Sequence, residues 1–177
     1  REATTILTNR DFEQSLYDES SIIMQDVILT SEGDSHINRR KTEFHLFRKE
    51  ISRNYEQVDF PNILKPIIDD SFSKGSTDLV ELGYLVTMNV TADISGIDVP
   101  KDFAKTRNLL KLVKIFSEGA TLVHSLKNKK LIRKQVLDAL EVFDKEFYSS
   151  SLNRRKKILK KFECGEINEN DLPKDIL

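Results

Sequence analysis

Cysteine, glycine, proline and tryptophan are all scarce in this 177-residue chain, which has one Cys, six Gly, four Pro and no Trp. A single cysteine, Cys164, excludes an internal disulfide framework and a zinc site of paired cysteines, as fits a reducing compartment. So few glycines and prolines argue against the repeated tight turns of an all-β sandwich. No apolar run approaches the roughly 20 residues that span a bilayer, so no membrane segment is predicted. Helices are therefore favoured.

Enough apolar residues are present for a folded core. Hydrophobic residues make up 38% of the chain and charged residues 32%, which excludes the class of weakly hydrophobic chains that stay disordered. The length suits one domain. Because the first residue is Arg rather than Met, we expect the chain to be a fragment or a processed form of a larger protein.

Apolar residues recur at spacings of three and four along most of the chain, which predicts an all-α fold. We expect a single compact bundle of about six helices over residues 36–165. An acidic segment, residues 1–35, packs on this bundle, and residues 166–177 form a short acidic tail. Within the first segment, residues 22–29 fit either a helix or a strand.

The helix boundaries follow from capping residues and from Gly and Pro. Asp78 is predicted to cap one helix, Ser151 is predicted to begin the last one, and Gly165 to end it in the left-handed conformation. The core is expected to include Phe116 and Phe143. Before the last helix, the predicted helices cover residues 38–57, 61–75, 78–90, 100–127 and 129–148, of which the first, fourth and fifth supply the core.

No residues with the spacing of a catalytic or metal-binding motif are present. The three histidines, His36, His45 and His124, are far apart and lack the spacing of metal ligands. Cys164 has carboxylates on both sides, a poor setting for a nucleophile. Asp69 and Asp70 lack a second acidic cluster and are expected to be solvated. The sequence therefore predicts no catalytic residue, no metal and no cofactor, and the protein is not expected to be an enzyme.

Charge is distributed unevenly behind a net charge of −1. Residues 1–35 contain two basic and eight acidic residues, and residues 163–177 contain one basic and five acidic residues. By contrast, residues 101–162 contain 17 basic and six acidic residues. If the helices of this basic segment pack side by side, their cations form one positive surface that attracts a polyanion. The predicted partner-binding residues are Lys127, Lys129, Lys130, Arg133, Lys134, Arg154, Arg155, Lys156, Lys157, Lys160 and Lys161.

These features predict a non-catalytic adaptor or scaffold domain of a larger intracellular protein, in the nucleus or the cytoplasm. A groove between helices would hold an acidic or amphipathic segment of a partner protein, flanked by the basic residues. The alternative is binding of the DNA or RNA backbone through the basic helices of residues 101–162. A third interpretation assigns these cations to ordinary solvated helix faces, neutralised by the two acidic ends of the chain.

Overall fold

The computed structural model describes residues 2–9, 11–12, 15–25, 27–100 and 102–172, and throughout these ranges the regular structure is helical, without strands. The predicted all-α fold is confirmed. The described residues hold more helices than predicted, partly because residues 38–57 are divided. The α-helices are α1 (Glu2–Thr8), α2 (Ser21–Met24), α3 (Gly33–Glu43), α4 (Lys49–Asn54), α5 (Phe60–Ser73), α6 (Leu79–Ile94), α7 (Phe103–Ala120), α8 (Lys129–Phe143) and α9 (Ser149–Glu163).

The α8 and α9 helices are continuous, joined by a π-helical turn at Asp144–Tyr148. The prediction that Ser151 begins a separate helix is wrong, because the segment before it holds no Gly or Pro and Ser151 is buried inside this helix. One series of positions in this helix is spaced at intervals of four residues: Ala139, Phe143, Phe147 and Ser151. A regular α-helix would rotate such a series by about 40° per step. The wider π turn reduces this drift and keeps Phe147 and Ser151 on the buried face.

The centre of the molecule is formed by α6, α7 and α8 with the π turn, which we call the helical core. Phe116 meets Phe143 edge to face at 5.7 Å between ring centroids, and Phe143 stacks on Phe147 at 6.1 Å. Both predicted core aromatics, Phe116 and Phe143, pack against the buried cluster. Its buried members are Met88, Ala92, Leu109, Leu112, Ala139 and Phe147.

A second buried cluster joins the end of α7 to α8 and to the N-terminal segment. Leu122, Ile132 and Val136 form it, and Ile22 and Ile23 of the acidic segment pack against it. Residues 22–29 were predicted to be a helix or a strand, but only α2 is helical and the described residues after it form turns. α2 therefore docks the acidic segment on the core through its apolar residues.

Gly119 permits the close approach of α7 and α8. A Cβ atom built on Gly119 would lie 2.6 Å from Cγ2 of Val136, which is closer than carbon atoms tolerate. The α7 helix ends one residue later, at Ala120, and a 3₁₀ turn follows at Leu122–His124. The predicted helix over residues 100–127 is therefore too long at its C-terminal end.

The largest error concerns residues 38–57, which were expected to form one core helix. The chain instead folds as α3, a 3₁₀ turn at Phe44–Phe47 and α4, with an extended Arg48 (ψ 146°) between the last two. We call residues 33–54 the helical elbow. Neither α3 nor α4 contains a buried residue, and Phe44 and Phe47 are 61% and 75% exposed. The apolar stripe exists, but no described helix covers it.

Two predicted helix ends agree with the structure. The Asp78 carboxylate accepts hydrogen bonds from the backbone N–H groups of Val80 and Glu81, and so caps α6. Gly165 follows α9 with φ +73°, in the left-handed conformation that glycine adopts at low cost.

Candidate interaction site

The predicted basic surface is divided between the two ends of the continuous α8–α9 helix. Five of the predicted residues lie around its beginning, and the other six lie on α9. The first five are Lys127, Lys129, Lys130, Arg133 and Lys134. At 1.5 Å per residue, Lys134 and Lys156 are about 33 Å apart along the helix. The two groups follow one another on one helix instead of lying side by side.

Three cations of the first group contact acidic residues or their backbone. Lys127 lies 2.6 Å from the Glu118 carboxylate, and Lys129 lies 2.6 Å from that of Glu19. Arg133 donates to the Glu19 backbone carbonyl at 3.1 Å. The hydrogen bond from Lys129 and the two nearby positive charges lower the pKa of Glu19. The two contacts with Glu19 attach this part of the acidic N-terminal segment to α8, next to the apolar contacts of α2.

Arg154 and Arg155 hold the loop between α6 and α7. The Arg154 guanidinium contacts the Asp98 carboxylate at 2.8 Å, and Arg155 contacts it at 3.3 Å. The Ser151 hydroxyl accepts from the Asp98 backbone N–H at 2.9 Å. Burial by itself would raise the pKa of Asp98, but the hydrogen bonds and the charges of the two arginines outweigh it and lower this pKa. We call this arrangement the Asp98 clasp.

The side chains of six predicted cations make neither an ion pair nor a hydrogen bond with any described residue. Four of them lie on the last two turns of α9, which we call the lysine end, and all four are exposed. The lysine end and the paired cations thus differ in their surroundings although the sequence presents them as one block. These six residues are Lys130 and Lys134 on α8, and Lys156, Lys157, Lys160 and Lys161 on α9.

A second positive surface lies on the helical elbow. A groove of about 480 Å³ runs along α3 and the 3₁₀ turn, and we call it the elbow groove. Ile37 and Phe44 supply its apolar surface, and both are at least half exposed. No acidic residue lines it, and its three permanent cations form no ion pair with a residue that the structure describes. Its polar lining residues are His36, Arg40, Lys41, His45 and Arg48.

The elbow groove has helical periodicity. Ile37, Lys41 and Phe44 succeed one another at intervals of four and three residues on α3 and directly after it, so they lie on one face. Arg48 lies beyond the 3₁₀ turn and lines the same groove. The backbone carbonyl of Ile28 accepts a hydrogen bond from His36 Nδ1 at 3.1 Å, which ties the beginning of α3 to the preceding turn. Apolar side chains and cations therefore line the same groove.

The other polar residues considered in the sequence are dispersed. His124 ends the 3₁₀ turn after α7, and Cys164 is exposed after α9. Asp69 and Asp70 pair with Lys65 and Lys74, each four residues away on or just after α5. The described residues contain no group of three or more His, Cys, Asp or Glu side chains that could hold a metal ion.

None of the described helices combines the length and the apolar character needed to cross a membrane. No protein-family model, curated protein or solved structure matches the chain.

The elbow groove was missed because its aromatic residue was assigned to the core. The run Arg39-Arg40-Lys41 beside an apolar stripe was the available signal, since charges of one sign next to large apolar residues suit a binding face. Asp98 was missed as well, because the sequence does not show that the loop after α6 lies against α9.

Proposed function

We propose that the chain is a non-catalytic adaptor or scaffold domain of a larger protein of the nucleus or cytoplasm, and that it binds an acidic amphipathic helix of a partner protein. The observation that carries this proposal is the elbow groove, where exposed apolar residues are flanked by cations without described ion pairs. The site differs from the predicted cation block, because the structure divides that block and uses part of it to hold other segments.

The charge of the elbow groove selects the chemistry of the partner. Arg40, Lys41 and Arg48 would repel a basic segment and attract an acidic one, mainly through a faster association rate. The apolar residues Ile37 and Phe44 would supply most of the affinity, because burial of large side chains dominates such interfaces. An amphipathic helix is the kind of segment that lays its apolar face into an apolar groove, so the proposed partner segment is helical.

Titration with a synthetic helix tests this proposal. The probe is a fluorescein-labelled peptide of about 18 residues, with leucine at helix spacing on one face and glutamate on its flanks. We expect saturable binding, observed by fluorescence anisotropy, and a large loss of affinity for Phe44→Ala and for the double variant Arg40→Glu, Lys41→Glu. A peptide with lysine in place of glutamate should bind poorly.

The matched control is Phe72→Ala, which removes another exposed phenylalanine on α5, outside the elbow groove. This variant should bind the probe as the wild type does. Equal affinity of the Phe44 and Phe72 variants, or equal affinity for the two peptides, would contradict the proposal.

Binding of a nucleic-acid backbone is the second candidate, and the lysine end is the observation that favours it. Its four cations are exposed and project from the end of α9. Four phosphate contacts predict a loss of about a hundredfold in affinity between 50 and 200 mM salt. Random-sequence DNA and RNA, measured at both salt concentrations, test this candidate. Replacement of Lys156, Lys157, Lys160 and Lys161 by glutamate should abolish the binding, and unchanged binding would exclude the lysine end.

A further inference from the structure

An acidic stretch with exposed apolar side chains lies close to the N-terminal end of the chain. Residues 11–18, which we call the acidic arm, contain three acidic residues and no basic one. Phe12 is 60% exposed and Leu16 is 38% exposed. These two residues are four positions apart, a spacing that places side chains on one face of a helix. The acidic arm thus has the acidic and amphipathic character that the proposed function requires of a partner.

The acidic arm and the elbow groove are complementary in charge and in apolar surface. Three permanent cations line the groove, Arg40, Lys41 and Arg48, and the arm carries three carboxylates. The groove exposes two large apolar side chains, Ile37 and Phe44, and the arm also exposes two. Burial of the apolar side chains against one another would supply affinity, and the opposite charges would speed the encounter.

The acidic tail of the chain is a poorer match for the groove than the arm. Its described part, residues 166–172, is also acidic, but its apolar residues Ile167 and Leu172 are half-buried. They offer less surface to another molecule than Phe12 does. The arm is therefore the better occupant.

None of the described residues of the arm lines the elbow groove of its own chain. The groove is lined only by residues between His36 and Arg48. The arm leads directly into Glu19, which α8 holds through Lys129. Arm and groove of one molecule are thus separate surfaces, and each can contact a different neighbour.

We infer that the elbow groove of one copy of the chain binds the acidic arm of a second copy, so that copies associate head to tail. This inference rests on the proposed function of the elbow groove and names the partner at that site. Because arm and groove are different surfaces, the contact is heterologous, and its repetition builds a chain of molecules or closes a ring.

Sedimentation of the whole chain at increasing concentration tests the inference, and we expect the wild type to self-associate. The arm variant is Asp11→Lys with Phe12→Ala, and the groove variant is Arg40→Glu with Phe44→Ala. Each should weaken self-association at least about thirtyfold, because it removes an aromatic side chain from the contact and reverses a charge. All four side chains are exposed, so both variants should keep the circular dichroism spectrum of the wild type.

A mixture of the two variants gives the most specific result. The arm variant keeps an intact groove, and the groove variant keeps an intact arm. Together they should form a heterodimer with the affinity of the wild-type contact. This heterodimer cannot grow, because its remaining arm and its remaining groove are both altered. A mixture of folded variants that stays monomeric while the wild type associates would overturn the inference.

The matched control is Asp69→Lys with Phe72→Ala, which makes the same two changes at exposed residues of α5. It should self-associate as the wild type does. Wild-type association that neither the arm variant nor the groove variant weakens would overturn the inference, because another surface would then be responsible.

The leucine and glutamate peptide separates this inference from the proposed function. A wild type that binds the peptide but stays monomeric up to its highest soluble concentration would overturn the inference and leave the proposed function intact. A wild type that neither binds the peptide nor self-associates would contradict both.

Discussion

The helical elbow and the helical core carry the same kind of apolar stripe but differ in what covers it. Phe147 in the core is 5% exposed, whereas Phe47 in the elbow is 75% exposed. Both lie in stripes with spacings of three and four residues. The core stripe faces two other helices, while the elbow stripe faces no described helix. Periodicity thus shows that a helical face is apolar. Whether that face is buried depends on a second helix that packs on it, which the spacing of apolar residues does not reveal.

This contrast has a functional meaning. An apolar face that is covered by the chain's own helices contributes to folding stability. An apolar face that stays exposed and has cations at its sides is available for a partner. The same residue types therefore have different roles in the two regions. The following substitutions measure how much each region contributes to the free energy of unfolding.

The largest difference in stability is expected between two phenylalanine substitutions. Phe147→Ala should lower the free energy of unfolding by about 3–5 kcal/mol, because it leaves a cavity among α6, α7 and α8. Phe47→Ala should change it by no more than about 0.5 kcal/mol, because its side chain contacts mainly solvent. Chemical denaturation of both variants measures these values. Similar losses for the two variants would show that the elbow stripe is buried after all.

A comparison of two glycines sharpens the description of the core. Gly119→Ala should destabilise the protein by about 1–3 kcal/mol, because its new methyl group would collide with Val136. Gly83→Ala, inside α6 with nothing within 4 Å, should stabilise by up to about 1 kcal/mol through its higher helix propensity. Thermal unfolding compares the two. A neutral Gly119→Ala would show that α7 and α8 do not approach as closely as described.

The Asp98 clasp should contribute a smaller amount, which depends on pH. Asp98→Asn should cost about 1 kcal/mol at neutral pH, since 39% exposure of the carboxylate weakens its ion pairs. Because the pKa of Asp98 is lowered in the folded state, its contribution is present above the ordinary value of 3.8 and is lost as the pH falls below it.

Unfolding of the wild type and of Asp98→Asn across this pH range tests the clasp. The difference in free energy of unfolding between the two proteins should disappear at acidic pH. The control Asp69→Asn removes only an exposed pair within α5 and should change stability by a few tenths of a kcal/mol. A difference between wild type and Asp98→Asn that persists at low pH would argue against an ionic clasp.

The smallest effect on stability is expected at the lysine end. Substitution of Lys156, Lys157, Lys160 and Lys161 by glutamate should move the free energy of unfolding by no more than about 0.5 kcal/mol, because these side chains face solvent. Thermal unfolding followed by circular dichroism measures this change in stability. A large loss would place the end of α9 with the core instead of with the exposed surfaces.

Local features of the fold could be predicted because they depend on neighbouring residues. The Asp78 carboxylate and the backbone N–H groups that it caps lie within three residues of one another, and Gly165 ends α9 through its own backbone freedom. Ser151 shows the limit of such signals. A serine is a good helix cap only where the helix begins, and Ser151 lies inside a helix, where it accepts from the Asp98 backbone.

The candidate sites could be predicted only in part, because they combine residues from several elements. Arg154 and Arg155 were chosen for their charge, but Asp98 lies more than fifty residues earlier and only the folded chain brings them together.

The sequence by itself determined the helical class, the helix ends at Asp78 and Gly165 and the apolar face of each long helix, because these depend on interactions within one or two turns. Tertiary structure decided which apolar faces are buried, and it divided the basic residues between paired positions and the lysine end. The physical reason is that burial and charge pairing depend on distances between segments remote in sequence, which the packing of α6, α7 and α8 determines.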